Sequence, residues 1–265
     1  MLRFMHTVVM DRLWVVFLSG ILVAWMTLFT LALGHPAGPV LGALSPAFDA
    51  DFWRSICAVT PAGEPMGRLI LMWGLMAVTM MAPTAVPAII AYRQLTKQHR
   101  MAKAGVAAFV GGYLAVWLAF AVIAAGAQYA LSASSLLSPH GVSVSVWLTT
   151  VLLMAAGLYQ FSDLKSACLS HCRAPLSFFM SHWRAGSSGA FRMGLQHGAV
   201  CVGCCWALML LAFVGGTMNL IWMGGAMVLM LLEKLPEIGK PLTHPIGIGL
   251  ILAGLMVMAR AIAFI

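Results

Sequence analysis

The chain has few charged residues and very few acidic ones. Only 7 of its 265 residues are Asp or Glu, and all charged residues together make up 8% of the sequence. Soluble domains contain about 25% charged residues. Apolar residues make up 62% of the chain. This composition excludes an ordinary cytosolic enzyme and a disordered tail, and it favours an integral membrane protein if the apolar residues form runs of about 18 or more.

Motifs of several function classes are also missing. The sequence contains no C-x-x-C-H haem attachment motif, no phosphate-binding loop and no nucleophile motif, so an enzymatic function has little support. It shows no internal repeat, which argues against an inverted-repeat transporter. Its net charge of +8 is spread over several loops and is not gathered with aromatic residues into one stripe. We therefore expect no nucleic-acid partner.

Seven apolar runs are candidates for membrane-spanning helices. They cover approximately residues 13–34, 69–91, 105–131, 143–160, 190–215, 218–233 and 244–264. A β-barrel would show alternating hydropathy, which these runs lack. The first run resembles a signal peptide in position, but its length of about 22 residues exceeds the usual signal core and favours an uncleaved helix. We predict an all-α, polytopic transmembrane bundle of about seven spans that forms a single domain over residues 1–265.

The distribution of basic residues predicts the orientation of this bundle in the lipid bilayer. If the N-terminus lies inside, 12 of the 15 lysines and arginines fall on inside segments. Positively charged residues are enriched in cytoplasmic loops of membrane proteins. We therefore predict a cytoplasmic N-terminus and a C-terminus outside. On the inside, the segment 161–188 is predicted to hold a short interfacial helix from Ser162 to about Cys172, closed by Pro175. Glu233 and Lys234, at the inside end of the sixth span, are interpreted as an interfacial anchor pair.

Ligand-type residues are concentrated in the fifth predicted span. On a helix, His197, Cys201 and Cys204 share one stripe, and Cys205 lies at its edge. His197 and Cys201 are about one turn apart, as are Cys201 and Cys205, so each pair can share a metal ion. Because a buried imidazole in a bilayer is costly, such a constellation is a functional-site hypothesis. Other helices must supply the remaining ligands.

A second group of ligand-type residues precedes this span. Cys168 and Cys172 lie at positions i and i+4, on one face of the predicted inside helix, and His171 points to the side away from Cys172. Cys168, His171 and Cys172 would together form a metal-docking site on the cytoplasmic side. Cytoplasmic thiols stay reduced, so a disulfide framework is not expected. Two sites in relay would fit transport or delivery, whereas one shared site would fit storage, sensing or a structural metal.

The methionines suggest which metal such a site would take. Met72, Met76 and Met80 recur on one face of the second span, where packing is the commoner role of methionine. Thioethers together with thiolates nevertheless select a soft cation, for which copper fits best, while thiolate plus imidazole also suits zinc. Met76 and Met80 are therefore candidate thioether partners of the cysteine site.

The same residues resemble those of a known family. The resemblance covers about residues 69–91 and 157–240, and its most specific part is the His-x3-Cys-x2-Cys-Cys-Trp sequence from His197 to Trp206. The family comprises bacterial integral membrane proteins described as predicted metal-binding proteins. The resemblance implies a multi-pass protein of the bacterial inner membrane. It also implies a metal-ligand role for His197, Cys201, Cys204, Cys205, Cys168 and Cys172.

Three functions remain open from the sequence. The first is the handling, delivery or transport of a soft metal, with another membrane protein or a metal chaperone as partner. The second is a membrane thiol redox protein, since Cys201 and Cys204 have C-x-x-C spacing, although burial in an apolar span would oppose thiolate formation. The third is a structural or assembly subunit whose cysteines hold a folding metal. We do not expect a catalytic residue.

Overall fold

The structure is a computed structural model that describes residues 66–96, 102–138, 141–217 and 219–263. The predicted first span at 13–34 and Cys57 lie outside these residues. The described part contains nine helices and no strand. They are α1 (Met66–Thr96), α2 (Ala102–Ala133), α3 (Val146–Tyr159), α4 (Asp163–Arg173), α5 (Pro175–His182), α6 (Gly186–Leu210), α7 (Ala212–Gly215), α8 (Leu220–Glu233) and α9 (Pro236–Ala263). The all-α prediction is confirmed for this part of the chain.

Four stretches are long and apolar enough to cross a membrane. They are Met66–Thr96, Lys103–Ala133, Gly186–Gly215 and Glu237–Ala263, and they coincide with four of the predicted spans. The helices at the predicted spans 143–160 and 218–233 are shorter, with the apolar parts Val146–Tyr159 and Trp222–Glu233. The number of seven spans and their orientation stay predictions.

Helix α6 carries four of the nine sequence-predicted ligands, from His197 to Cys205, and it packs most extensively against α2. Glycines allow the two backbones to touch. A Cβ atom on Gly194 would overlap the carbonyl of Phe109, and one on Gly112 would overlap the carbonyl of Phe191. Small residues permit such close approach between apolar helices. The two helices therefore meet through backbone atoms just before the cysteine segment begins.

The helix predicted from Ser162 to about Cys172 is present as α4. Its N-cap is Ser162, whose hydroxyl accepts a hydrogen bond from the backbone N–H of Lys165 at 3.2 Å, and Pro175 begins the next helix. Helix α4 packs on α6, and a Cβ atom on Gly203 would lie 2.7 Å from the sulfur of Cys168. The glycine thus makes room for a thiol of the neighbouring helix, and α4 brings its cysteine face against α6.

Candidate metal site

Three cysteines of α6 form a compact group of sulfur atoms. The Sγ atoms of Cys201, Cys204 and Cys205 all lie within 4.8 Å of one another, and each residue is 1% exposed. The sulfurs of Cys204 and Cys205 are 3.2 Å apart. We call these three residues the sulfur cluster. Their helical spacing explains the grouping, because positions i, i+3 and i+4 lie on neighbouring parts of one helix face.

Helix α4 extends the sulfur cluster with a fourth thiol. The Sγ of the half-buried Cys172 lies 3.9 Å from that of Cys204. Cys168 is half-buried one turn earlier, against Gly203 of α6. The two cysteine groups that the sequence separates by about 30 residues are therefore neighbours, because Cys172 contacts the sulfur cluster and Cys168 packs beside it.

The thiols of α4 are held mainly in their protonated form. Burial and the nearby sulfur of Cys201 raise the pKa of Cys168. The pKa of Cys172 is also raised, first by the hydrogen bond that its thiol shares with Cys201 and further by burial. A metal that binds these sulfurs must therefore displace protons, which links metal binding to proton release.

His197 lies beside the sulfur cluster but is not part of it. Its ring is 2% exposed and is surrounded by aromatic rings, with centroid distances of 5.9 Å to Phe109, 6.0 Å to Tyr113 and 5.2 Å to Phe178. Its Nδ1 atom is buried without a hydrogen-bond partner among the described residues. The imidazole thus sits in an aromatic pocket about one helical turn from Cys201.

The other sequence-predicted ligands lie elsewhere. His171 is exposed, and its Nδ1 is 2.9 Å from the backbone carbonyl of Ala167 on its own helix. Met76 and Met80 are buried and face a small cavity that they share with Met209 and Met223. The structure therefore brings Cys172 to the sulfur cluster, and it places His171 and the two methionines in other surroundings.

Lys234 and Tyr113 are contacts of the sulfur cluster that the sequence did not reveal. Its Nζ donates to the Sγ of Cys201 at 3.0 Å and to the Oγ1 of Thr84 at 2.8 Å. The residue is 8% exposed, so its charge is largely removed from solvent. The hydroxyl of Tyr113 lies 3.1 Å from the same Cys201 sulfur. One buried sulfur therefore contacts both an ammonium group and a phenol.

Glu233, the neighbour of this lysine, is buried as well. Its carboxylate pairs with Lys165 of α4 at 2.9 Å, and both side chains are 1% exposed. The side chain of Arg173 donates to the Glu233 backbone carbonyl at 2.9 Å. The interpretation of Glu233 and Lys234 as an interfacial anchor pair is therefore wrong, because both have buried partners in other helices. Only the position of a Glu-Lys pair at the end of an apolar span could have hinted at this.

Comparison with protein families identifies the relatives of this chain. A family model described as PpoB2, copper chaperone, matches residues 70–257, which is more than two thirds of the chain. The chain belongs to this copper chaperone family. The match includes the sulfur cluster, Cys168, Cys172 and Lys234, and the metal-binding part of the sequence resemblance is thereby supported. Comparisons with curated proteins and with solved structures gave no match.

Proposed function

We propose that this chain is an integral membrane copper chaperone that binds Cu(I) at the sulfur cluster and passes it to another metal-handling protein. The observation that carries the proposal is the convergence of Cys201, Cys204 and Cys205 in a buried site. Thiolates are ligands that select a soft cation such as Cu(I). The family to which the chain belongs is described by its copper chaperone function, which favours copper over zinc.

The charges around the sulfur cluster support a monovalent cargo. Cu(I) bound by two thiolates carries a net charge of −1, and the ammonium of Lys234 is in contact with one of the sulfurs. An uncompensated charge in a buried, apolar site is costly. Lys234 would therefore neutralise the copper-dithiolate complex.

Helix α4 supplies a route into the buried site. Cys168 and Cys172 are half-buried, whereas the sulfur cluster is fully buried, and Cys172 touches Cys204. A copper ion can therefore move from α4 to α6 by exchanging one sulfur ligand for another. This stepwise exchange supports delivery of copper over permanent storage.

The membrane location is part of the proposal. Four helical stretches are long and apolar enough to span a bilayer, and α9 leaves large apolar side chains exposed, among them Leu252, Leu255 and Met256, each more than half exposed. Hydrocarbon would cover such a surface. With the N-terminus inside, α4 would face the cytoplasm of a bacterial cell, and copper would be received there from another metal-handling protein.

Metal content of the purified full-length protein tests the proposal. We expect the wild type to retain copper, and we expect Cys201→Ser and Cys204→Ser to lose most of it. Cys57→Ser is the matched control, because it makes the same chemical change far from the cluster in sequence. Absence of copper from the wild type, or equal copper in all three variants, would contradict the proposal.

The same variants separate the other functions. If the serine variants lose copper and also fail to accumulate, the cysteines hold a folding metal. If thiol labelling of Cys201 and Cys204 depends on redox state while copper is absent, the redox function gains support. Variants that accumulate normally without copper favour the chaperone function.

A further inference from the structure

A small cavity between α1, α6 and α8 is walled largely by methionine. Its lining contains eight residues, and four of them are methionines, namely Met76 and Met80 of α1, Met209 of α6 and Met223 of α8. Each of these four is 5% exposed or less. Leu208, Ala212, Trp222 and Ala226 complete the wall. We call this space the methionine cavity.

The methionine cavity has the size of a single small occupant. Its volume is about 10 Å³, close to the minimum that holds one water molecule. A buried water needs two to four polar partners. No lining residue has a charged side chain, a hydroxyl or a carboxylate, and the indole N–H of Trp222 already donates to the Leu211 carbonyl at 2.9 Å. The side chains that line the cavity therefore offer thioether sulfurs and few hydrogen-bond partners for a water molecule.

The lining gathers four thioether sulfurs around one gap. Methionine is flexible and fills irregular gaps in apolar cores. Here four methionines from three helices surround a gap and leave it open. Thioether sulfur is a soft, uncharged ligand that suits Cu(I) and not the hard cations.

The methionine cavity adjoins the sulfur cluster along the helix that the two share. Met209 follows Cys205 by four residues on α6, a rise of about 6 Å. On α1, Met80 precedes Met81, whose carbonyl accepts a hydrogen bond from Tyr113 at 3.1 Å, and Tyr113 contacts Cys201. An ion leaving the cluster would therefore reach the cavity within about one helical turn.

We propose that the methionine cavity is a second Cu(I) site, which exchanges copper with the sulfur cluster during transfer. This inference rests on the proposed function. Copper stays Cu(I) throughout, so no oxidant or reductant takes part. Bonds from copper to thiolates break as bonds to thioethers form, and the freed thiolates take back the protons that were released when copper bound them. Because thioethers are uncharged and no charged side chain lines the cavity, the positive charge of Cu(I) is not compensated there. The cavity therefore holds Cu(I) more weakly than the thiolates do, as a transit site requires.

The test compares purified full-length variants titrated with Cu(I) against a chelator of known affinity. One variant carries Met76→Leu, Met80→Leu, Met209→Leu and Met223→Leu, which removes the thioethers at nearly constant volume. The matched control carries Met193→Leu and Met230→Leu, two fully buried methionines of α6 and α8 that do not line the cavity. If the fourfold variant does not accumulate, Met80→Leu with Met209→Leu takes its place.

We expect the wild type and the control to bind a tight and a weaker Cu(I), and the cavity variant to keep only the tight one. We also expect release of copper from the cavity variant to an external chelator to slow at least tenfold. Unchanged stoichiometry and release would show that the methionines are packing only and would overturn the inference. If Cys201→Ser loses the tight Cu(I) site and keeps the weaker one, the two sites are separate. If Cys201→Ser keeps both sites, the proposed function is refuted.

Discussion

Replacement of Lys234 by methionine tests the charge balance on which copper binding is proposed to depend. The substitution keeps a long, flexible side chain and removes the ammonium that lies 3.0 Å from the Cys201 sulfur. At that distance, opposite unit charges attract by about 5.5 kcal/mol at an effective dielectric constant of about 20. The net worth of a hydrogen bond to a charged group is smaller, about 1.5–3 kcal/mol, because the ammonium must be desolvated. We therefore expect copper affinity to fall by about tenfold to 150-fold.

The stability of the metal-free protein is expected to respond differently. When the ammonium is absent, the Cys201 sulfur can take up a proton and remain uncharged. Thr84 keeps a partner as well, because its hydroxyl also donates to the Met81 carbonyl at 2.9 Å. Neither Cys201 nor Thr84 is then left with an uncompensated charge. We expect the melting temperature of metal-free Lys234→Met to stay within about 4 °C of the wild type, which corresponds to about 1 kcal/mol.

The assay is a competition titration with a Cu(I) chelator, run beside thermal unfolding of the metal-free protein. Lys240→Met is the control, because Lys240 is an exposed lysine on α9 and the change is chemically identical. Wild-type copper affinity in Lys234→Met would refute the charge argument. A large loss of stability in the metal-free variant would show instead that Lys234 is needed for folding.

Three further predictions follow from the packing of the helices. Gly112→Ala should lower the melting temperature, because its Cβ would overlap a carbonyl of α6, whereas Gly111→Ala next to it faces open space and should be neutral or gain up to about 1 kcal/mol. Glu233→Gln should destabilise the protein by about 3–5 kcal/mol, since it leaves the buried Lys165 without a counter-ion. Replacing both residues by methionine should restore much of that loss, measured by thermal unfolding. His197→Phe should retain copper, because the imidazole lies in an aromatic pocket outside the sulfur cluster. Metal analysis checks this, and loss of copper from the variant would assign His197 as a ligand.

The sequence predicted the helices and the cysteine face because both depend on local periodicity. The hydropathy runs located α1, α2, α6 and α9, and the angles on α6 placed Cys201 and Cys204 together. The same angles placed His197 on that stripe, but α2 and α5 enclose its ring in aromatic side chains. The periodicity of one helix shows which residues share a face. It does not show how the neighbouring helices direct those side chains, and this decides which of them form a site.

The contacts of Lys234 could not be predicted for the same reason. Its partners Cys201 and Thr84 are 33 and 150 residues away in the chain. A lysine at the end of an apolar span ordinarily reaches towards the interface. Here the end of α8 is buried, and the side chain turns inwards to a sulfur.

The junction at Glu233 and Lys234 connects the two halves of the proposed copper route. Glu233 pairs with Lys165, so α8 is tied to α4, the helix that carries Cys172. The next residue, Lys234, reaches the sulfur of Cys201 on α6. The carboxylate of Glu233 is engaged with Lys165, and the ammonium of Lys234 contacts the Cys201 sulfur. These two adjacent residues therefore tie α8 to α4 and place a positive charge beside the sulfur cluster. Disruption of the Glu233–Lys165 pair is therefore expected to weaken copper binding as well as stability, by displacing Cys172 and Lys234 together.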